Sequence, residues 1–355
     1  MNSRERVIAA IEHRTPDRLP ITFEAEKEVI AVLKKHFGVT SRDAVWDALN
    51  VDTRLVGVDH HDPRIRDEGE ISYDFWGIGS KLQAYPGGTY SEYCVFPLAG
   101  METVADIEAY HWPTVDEMSF ESLRAARAAN PDKAIIAHIT HAPYFKATHL
   151  RGMENFMMDL ALNPPLAEAI IRKVSDYLFP ALERLCREAG DTFDIFYIAD
   201  DFCTALGPLI SPDMFRQYIQ PYLTHMSGIV HQHGKKFLLH TCGAVRPLLK
   251  DIIAAGVDVL EPIQTSAAGM EVEGLKRDFG DHLAFYGSID LIKVLSQGSP
   301  AEVRQEVLRN FGVLGKNGGF IVGPGHTYIQ PDVPLENILA MYETAYRECR
   351  YGQES

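Results

Sequence analysis

The stretch FLLHTCG, residues 237–243, places an imidazole and a thiol two positions apart where an apolar run ends. In extended backbone, side chains two residues apart point to the same side, so His240 and Cys242 can reach a common point. Thiolate sulfur and imidazole nitrogen are ligands that Zn²⁺ prefers, and a catalytic zinc ion takes three protein ligands and leaves one position open. The pair therefore predicts two zinc ligands, against the alternative of a core histidine beside a small buried cysteine.

The third ligand must come from another part of the chain. His326, in the stretch VGPGHTYIQPDVP, is the preferred candidate, because the Gly-Pro-Gly before it permits close approach of the backbone. Glu261 follows the next apolar run after the pair and is an alternative third ligand. Cys203 is another.

Residues of the same reactive types follow the other apolar runs of the chain. Loops at strand ends are polar in any case, but that alone predicts a mixture of Ser, Asn, Lys and Gly. In an α/β barrel the carboxyl ends of the strands meet at one face, where active sites lie, so these residues predict a convergent site. They are Asp59, His60, His61, Asp62, His138, His141, Asp200, Asp201, His240, Cys242, Glu261, Tyr286 and His326.

Three of these residues are candidates for catalytic roles: Asp200, Asp59 and Tyr286. Adjacent aspartates cannot face the same way in extended chain, so one of Asp200 and Asp201 is expected to face the mouth and the other to cap the loop. We expect Asp200 in the mouth, as a proton acceptor, a partner of a metal-bound histidine or a substrate anchor. Structural capping is an equally open interpretation, because Asp is common in turns.

Four further residues are predicted to bind substrate: His138, Tyr144, Asp201 and Phe202. Six aromatic residues could line an apolar pocket for a flat or methylated molecule: Tyr144, Tyr286, Tyr328, Phe75, Trp76 and Phe202. Aromatic residues more often belong to the core, and that alternative stays open.

Short apolar runs alternate with helical patterns from about residue 133, which predicts βα units and a parallel sheet. With the runs DTRLVGVD and LPITF, the total reaches about eight strands, the number of a closed (β/α)8 TIM barrel. An N-terminal helical segment precedes them. Between about residues 68 and 98, aromatic and β-branched residues around Pro-Gly-Gly predict a β-hairpin excursion. We expect one domain over residues 1–355.

Composition excludes several classes of function. The chain has 355 residues and a formal net charge of −15, and no run of Lys and Arg stands out, which argues against nucleic-acid binding. No apolar run approaches the roughly 18 residues of a membrane span, and the charged start does not resemble a signal peptide, so we expect a cytoplasmic protein. Five irregularly spaced cysteines favour a ligand or nucleophile over a disulfide framework.

From SRERVIAAIEHRTPDRLP to its end, the sequence resembles the uroporphyrinogen decarboxylase superfamily and, within it, the corrinoid-dependent methyltransferase branch. The resemblance implies a (β/α)8 barrel with its active site in a deep cleft at the carboxyl ends of the strands. It is densest over the stretches DDFCTALGPLISPDMFRQYIQPY, KKFLLHTCGAVRPLLKDIIAAGVDVLEPIQ, FGDHLAFYGSID and GGFIVGPGHTYIQPDVPLENILAMYE.

The two branches of the superfamily differ in their motifs. The decarboxylases carry an arginine-rich N-terminal motif, MRQAGRY, that binds the carboxylates of the porphyrinogen, whereas this chain has DRLPITFEAEKEV and no comparable arginine pair. Thiol-methylating members bind zinc through His-x-Cys and a distant Cys in a PGC setting. His240 and Cys242 match the pair, and His326 in GPGHTY stands at the position of the second Cys. Related enzymes demethylate aryl methyl ethers and pass the methyl group to a corrinoid protein.

The resemblance thus implies zinc-dependent methyl transfer between a corrinoid and a small substrate, either a thiol acceptor or an aryl methyl ether donor. Methylcobalamin or a related corrinoid would come from a partner corrinoid protein or bind free, and no nucleic acid or membrane is expected; a homodimer is one candidate assembly. Two alternatives stay open. One is a metal-free carboxy-lyase in which Asp59 or Asp200 stabilises a cationic intermediate, and the other is a non-catalytic tetrapyrrole-binding barrel.

Overall fold

The central feature of the computed structural model is a parallel sheet, which has seven strands within the described residues, 1–85 and 88–352. The strands of the chain are β1 (Thr53–Gly57), β2 (Asp59–His60), β3 (Arg66–Glu68), β4 (Ile71–Tyr73), β5 (Gly79–Tyr85), β6 (Gly88–Val95), β7 (Met118–Ser119), β8 (Ala134–His138), β9 (Ile195–Ala199), β10 (Lys236–His240), β11 (Val259–Ile263), β12 (Ala284–Ile289) and β13 (Phe320–Pro324). In the central sheet the order is β1-β8-β9-β10-β11-β12-β13, and each pair is parallel. Most of these strands are buried apolar runs, as expected for a sheet covered on both sides.

Residues 20–25 join the two edges of this sheet. Ile21 forms a parallel bridge with Val322 of β13, and Thr22 N–H donates to the Val322 carbonyl at 2.9 Å. On the other side, Asp52 N–H, just before β1, donates to the Ile21 carbonyl at 2.8 Å. The predicted (β/α)8 barrel is therefore confirmed, with LPITF at the eighth position. Pairing at this position is irregular in part because Pro20 has no backbone N–H to donate to a neighbouring strand.

Helices surround the barrel, and three of them precede β1, as the predicted N-terminal helical segment requires. They are α1 (Ser3–Ile11), α2 (Lys27–Phe37), α3 (Arg42–Ala48), α4 (Val104–Ala109), α5 (Glu121–Ala129), α6 (Pro143–Arg151), α7 (Met153–Leu162), α8 (Pro164–Ala189), α9 (Pro212–Tyr218), α10 (Gln220–Gln232), α11 (Leu249–Ala254), α12 (Val272–Phe279), α13 (Pro300–Leu314) and α14 (Leu335–Arg347). Short 3₁₀ turns lie at Val115–Glu117 and Arg246–Leu248, and a π-helical turn at Leu291–Ser296. Among the described residues, none of the helices is long and apolar enough to cross a bilayer.

Helix α1 closes the amino-terminal end of the barrel. It begins with a capping box in which Asn2 and Glu5 each bond the other's backbone N–H. Val7, Ala10 and Ile11 pack onto the inward-facing residues of the strands, such as Ile136, Leu238 and Ile321. Since this end is sealed by apolar contacts, access to the barrel interior lies at the opposite, carboxyl end.

An antiparallel sheet of four strands, β3-β4-β5-β6, stands between β1 and β8. Its largest part is the β5–β6 hairpin, so the predicted excursion is confirmed and extended by two further strands. The predicted Pro-Gly-Gly turn falls partly on Pro86 and Gly87, which lie outside the described residues. The short strands β2 and β7 pair with each other beside this sheet.

Candidate functional site

A cleft of about 470 Å³ opens at the carboxyl ends of the barrel strands. Residues after β8, β9, β10 and β13 form most of its wall, and the antiparallel excursion and α6 supply the remainder. The lining residues are Leu55, Asp74, Phe75, Tyr93, His138, Ile139, Thr140, His141, Phe145, Lys146, Tyr197, Ala199, Asp201, His240, Cys242, His326, Thr327 and Tyr328.

His240, Cys242 and Asp201 converge in this cleft. His240 ends β10, Cys242 lies two residues later, and Asp201 follows β9, the neighbour of β10. One donor atom of each lies within 4.8 Å of the other two. His240 Nε2 is 3.6 Å from Cys242 Sγ and 3.6 Å from Asp201 Oδ1. The Cys242 backbone N–H also donates to Asp201 Oδ1 at 2.8 Å, which holds the carboxylate beside the thiol.

The other nitrogen of His240 is held from behind. Nδ1 donates to the carboxylate of Glu261, which is 3% exposed at the adjacent position of β11, and the Thr327 hydroxyl lies 3.2 Å from the same nitrogen. Burial disfavours the charged imidazole, but Glu261 and Cys242 outweigh it and raise the pKa of His240 well above its ordinary value. This contact fixes the ring so that Nε2 faces Cys242 and Asp201.

The donor set fits a zinc ion. Imidazole nitrogen, thiolate sulfur and carboxylate oxygen are the three ligand types that zinc takes in proteins. A carboxylate bonded to the far nitrogen of a ligating histidine is the usual support of such a ligand. The residues of the cluster therefore have both the donors and the supporting contact that zinc requires.

The structure places the three sequence candidates for the third ligand outside this cluster. His326 lines the same cleft, but its Nδ1 lies 3.2 Å from both the backbone N and the backbone O of Tyr328. Glu261 bonds the far side of His240. Within the described residues, Asp201 completes the group of three donor atoms that all lie within 4.8 Å of one another. His326, Glu261 and Cys203 are not part of this group.

Of the two adjacent aspartates, Asp201 faces the cleft and Asp200 does not, which corrects the expectation that Asp200 lies in the mouth. The Asp200 side chain is fully buried, accepts the Phe145 N–H at 2.9 Å and also accepts the hydroxyl proton of Tyr222. Burial raises its pKa to about 7, against the effect of these two hydrogen bonds. Asp200 thus ties α6 and α10 to the end of β9, while backbone alternation turns Asp201 to the cleft.

Asp59 also lies away from the cleft, contrary to its expected catalytic place. Its carboxylate accepts the backbone N–H of Ser122 at 3.0 Å and the Ser122 hydroxyl at 2.7 Å. Ser122 is in the first turn of α5, so Asp59 satisfies a free N–H group at a helix start. The residue follows a barrel strand as expected, but β2 carries it outward to pair with β7.

Two of the aromatic residues predicted to bind substrate belong to the core instead. Phe202 is fully buried and packs edge-to-face on Phe215 at 5.3 Å between ring centres. Tyr144 is 1% exposed, and its hydroxyl donates to Met157 Sδ at 3.1 Å. The expectation for these two is corrected, because both point into the layer between helices and barrel, the commoner place for aromatic side chains.

Tyr286 and His138 occupy different depths of the barrel. Tyr286 points into the interior below the cleft, where its hydroxyl bonds Thr22 and burial raises its pKa. His138 lines the cleft itself, and burial lowers its pKa. A Cβ on Gly57 would lie 3.1 Å from His138 Nε2, so the glycine makes room for this ring.

Sequence reasoning missed the part of the cleft wall formed by α6 and the excursion. Lys146 of α6 lies in the wall at 4% exposure, and its Nζ is 3.7 Å from Asp74 Oδ2 in the loop after β4. His149, one turn further along α6, packs against Tyr93 of β6. The only sequence signal was a lysine and a histidine three residues apart in HAPYFKATHL, which does not distinguish a buried helix face from an exposed one.

The fold and the site together define an α/β-barrel protein with a histidine, cysteine and carboxylate cluster at the mouth of the barrel. The sequence model of the uroporphyrinogen decarboxylase (URO-D) family matches residues 71–348, and the chain belongs to this family. The family membership expected from the sequence is thereby confirmed.

Curated relatives place the resemblance in the methyltransferase branch. The chain is 26% identical over 211 residues to a methylated-thiol–coenzyme M methyltransferase of Methanosarcina mazei, covering 58% of this chain and 51% of the relative. It is 30% identical over 225 residues to the methylcobamide:CoM methyltransferase MtaA of Methanosarcina barkeri, covering 62% of this chain and 60% of the relative. The chain thus spans between half and three fifths of the length of these relatives.

A solved structure shares the whole fold. A methyltransferase from Methanosarcina mazei superposes with a TM-score of 0.72 and covers 98% of both chains, at 18% sequence identity. This likeness extends over the barrel, the N-terminal helices and the excursion.

Proposed function

We propose that this protein transfers a methyl group between a corrinoid and a small thiol, with a zinc ion held by Asp201, His240 and Cys242. The observation that carries the proposal is the convergence of these three side chains in one cleft, with His240 oriented from behind by Glu261. The names of the relatives, which refer to methylated thiols, methylcobamide and CoM, supply the reaction class.

The zinc ion and the side chains around the cluster have distinct tasks in this proposal. Zinc bound there would lower the pKa of a coordinated thiol, so that the thiolate forms at neutral pH. Glu261 and Thr327 orient the imidazole of His240, and the Cys242 N–H orients Asp201. Phe75, Tyr197 and Ile139 border the cleft with apolar surface that excludes water from the methyl group.

The corrinoid would supply the methyl-cobalt bond, and we propose that a separate corrinoid protein brings it to the mouth of the barrel. The cleft is open on this side, at the ends of β8, β9, β10 and β13. A homodimer stays a prediction, which sedimentation velocity would test.

Tetrapyrrole decarboxylation is the less favoured function. A porphyrinogen carries several carboxylates, which arginine binds best through paired hydrogen bonds. Among the described residues that line the cleft there is no arginine, and the nearby Arg54 and Arg64 bond Asp47 and Asp62 instead.

Metal content tests the site. Protein loaded with zinc and then desalted should retain about one zinc ion per chain, and His240→Ala with Cys242→Ala should retain none. Asp201→Asn should weaken zinc binding more than His326→Gln does. A chain that retains no zinc, or one whose zinc survives the double substitution, would overturn the metal assignment. If His326→Gln removes the ion and Asp201→Asn does not, the third ligand is His326.

Methyl transfer tests the reaction and its direction. Methylcobalamin should lose its methyl-cobalt absorption band when zinc-loaded protein and a thiol are both present, and not with the His240→Ala, Cys242→Ala variant. If none of a panel of thiols demethylates it, a panel of methoxylated aromatics with reduced corrinoid tests the ether-donor direction. A zinc-free protein that decarboxylates a porphyrinogen would support the carboxy-lyase alternative and contradict the proposal.

A further inference from the structure

Lys146 is a buried ammonium group in the wall of the cleft. The residue is 4% exposed, and its only ion-pair partner among the described residues is Asp74, at 3.7 Å from Nζ to Oδ2. That distance is longer than the 2.7–2.9 Å of a charge-assisted hydrogen bond. Nζ also lies 5.5 Å from the centre of the Trp76 ring, where it gains a weaker cation–π attraction.

An ammonium group has three N–H donors, and Lys146 uses none of them at hydrogen-bond distance within the described part of the chain. Burial of an incompletely paired charge costs free energy, and burial lowers the pKa of this lysine. The residue nonetheless lines the open cleft, where a ligand can reach it. We infer that Lys146 binds the negatively charged end of a small organic anion, such as a sulfonate, carboxylate or phosphonate, in the same cleft as the Asp201, His240 and Cys242 cluster.

The neighbours of Lys146 are suited to this role. His141, just before α6, and His149, in its last turn, both pack against Phe145, and the Nδ1 atom of each is buried without a partner among the described residues. Burial lowers the pKa of both imidazoles, and the nearby Lys146 contributes to the shift. Both rings are therefore neutral near pH 7, and Lys146 carries the positive charge of this part of the wall.

Charge makes the lysine decisive for an anion. The chain has a formal net charge of −15, and Asp74 and Asp201 add carboxylates to the cleft wall. Lys146 is the sole lysine or arginine among the described residues that line it. Without Lys146, the cleft would offer an anion only the imidazole of His240, which is already paired with Glu261 and lies beside Asp201 and Cys242.

A purely structural role is the competing explanation. Asp74 accepts the backbone N–H groups of Trp76 and Ile78, so its pair with Lys146 could serve only to attach the excursion to α6. The two roles differ in what happens when Asp74 loses its charge. If the pair is structural, Asp74→Asn and Lys146→Met have similar effects, whereas if Lys146 binds an anion, Asp74→Asn frees the ammonium and strengthens binding.

The inference rests on the proposed function only in assigning the far end of the anion to the cluster, so its test uses binding and not methyl transfer. Calorimetry would measure the affinity of ethanesulfonate, propionate and ethylphosphonate, with ethanol as the neutral comparison. These probes carry no thiol and need no corrinoid. A chain that binds these anions but transfers no methyl group therefore supports the role of Lys146 and contradicts the proposed methyl transfer.

We expect at least one of the three anions to bind the unmodified protein. Lys146→Met should weaken its binding by about 10-fold or more, the usual effect of losing a charge-assisted hydrogen bond. Asp74→Asn should strengthen binding, and Lys146→Arg should retain most of it. Lys235→Met is the matched control, because Lys235 is half-buried but donates to the Phe193 carbonyl at the other end of the barrel.

Three results would overturn the inference: no anion binds, Lys146→Met leaves the affinity unchanged, or Asp74→Asn weakens binding as much as Lys146→Met does. If Lys146→Met does not fold, Asp74→Asn and Lys146→Arg still decide the matter. If Lys146 binds the anion, Lys146→Met should lose the preference for the anions over ethanol. General damage to the cleft would instead weaken the binding of all probes alike.

Discussion

At the scale of single residues, the support behind His240 is as informative as the ligands in front of it. A buried carboxylate at Glu261 and the hydroxyl of Thr327 both contact Nδ1, which leaves Nε2 as the nitrogen that faces Cys242 and Asp201. Removal of such a supporting partner typically lowers metal affinity by about 10- to 100-fold without removing a ligand.

Glu261→Gln should therefore weaken zinc binding by about 10- to 100-fold, because an amide holds the imidazole less firmly and stabilises a positive charge less well than a carboxylate does. Competition with a fluorescent chelator would measure the affinity. Glu306→Gln is the control, since Glu306 of α13 is half-buried but bonds Asn310, far from the cluster. Equal affinities for Glu261→Gln and the unmodified protein would show that Glu261 does not support a metal ligand.

A second residue-scale effect concerns His60, whose ring stacks on Phe75 at 3.9 Å between centres. Its Nε2 is buried without a partner among the described residues, and burial lowers its pKa to about 4. Because the folded-state pKa is below the unfolded value, the fold gains stability from this residue above about pH 6.5. That stability is lost as pH falls from about 6.5 to 4, at up to about 1.4 kcal/mol per pH unit.

His60→Phe should flatten this part of the pH profile, since Phe keeps the stacking but cannot take up a proton. Urea unfolding at several values between pH 7 and pH 4.5 would give the free energy of unfolding of each protein. His36 is exposed, so His36→Phe should keep the slope of the unmodified chain. Parallel profiles for His60→Phe and the unmodified protein would refute the assignment of acid sensitivity to His60.

At the scale of elements, the sequence predicted the positions of side chains that follow from strand geometry. It did not predict the positions of side chains that depend on how the loops pack. Apolar runs identified the strands, and helical periodicity identified the helices between them. The alternation of side chains in extended backbone placed His240 and Cys242 on one side. The same rule stated that Asp200 and Asp201 diverge, but not which faces the cleft, because that depends on contacts with Phe145 and Tyr222 from distant elements.

The excursion illustrates the same limit. Its hairpin was predicted from local turn and strand signals, but its contribution to the cleft through Asp74 and Tyr93 depends on how it packs against α6. Similarly, Asp59 was correctly placed after a strand, yet β2 directs it to the start of α5. Side-chain destinations after a strand end are tertiary properties, and single-sequence patterns do not contain them.

The loop after β10 is the element on which the cluster depends most. Gly243 has φ of +93°, and a Cβ there would lie 2.5 Å from the carbonyl oxygen of Thr204, in the loop after β9. Gly243→Ala should therefore push apart the two loops that carry Cys242 and Asp201. We expect a loss of about 1–3 kcal/mol in the free energy of unfolding, and weaker zinc binding with it.

Gly228→Ala in α10 is the control for this substitution, because a Cβ there meets no atom within 4 Å. That change should leave zinc binding intact and stabilise the helix by about 0.5–1 kcal/mol. Thermal unfolding and chelator competition would be compared for both variants. A Gly243→Ala protein with unchanged stability and zinc affinity would contradict the close approach of the two loops.

At the scale of the whole molecule, a buried group of charges contacts residues 20–25, the segment that joins the two edges of the central sheet. Asp52 is fully buried and accepts hydrogen bonds from Arg6 at 2.9 Å, from Arg18 at 2.8 and 2.9 Å, and from the Ile21 N–H at 2.9 Å. One carboxylate thus connects α1, the irregular eighth position and the start of β1. The group also fixes the segment that carries Thr22, the partner of Tyr286 below the cleft.

Asp52→Asn keeps the shape of this carboxylate but removes the charge that compensates two buried guanidinium groups. Removal of one partner from a buried ion pair costs about 3–5 kcal/mol, because the charges left behind are unpaired and out of water. Asp17→Asn offers the comparison, since Asp17 bonds the same Arg6 but has a side chain 42% exposed. Its loss should cost less than that of Asp52, because the Asp17 carboxylate is partly in water and Arg6 keeps Asp52 as a partner. Urea unfolding would measure the free energy of unfolding of both variants. Equal losses would mean that closure of the barrel through residues 20–25 does not depend on Asp52.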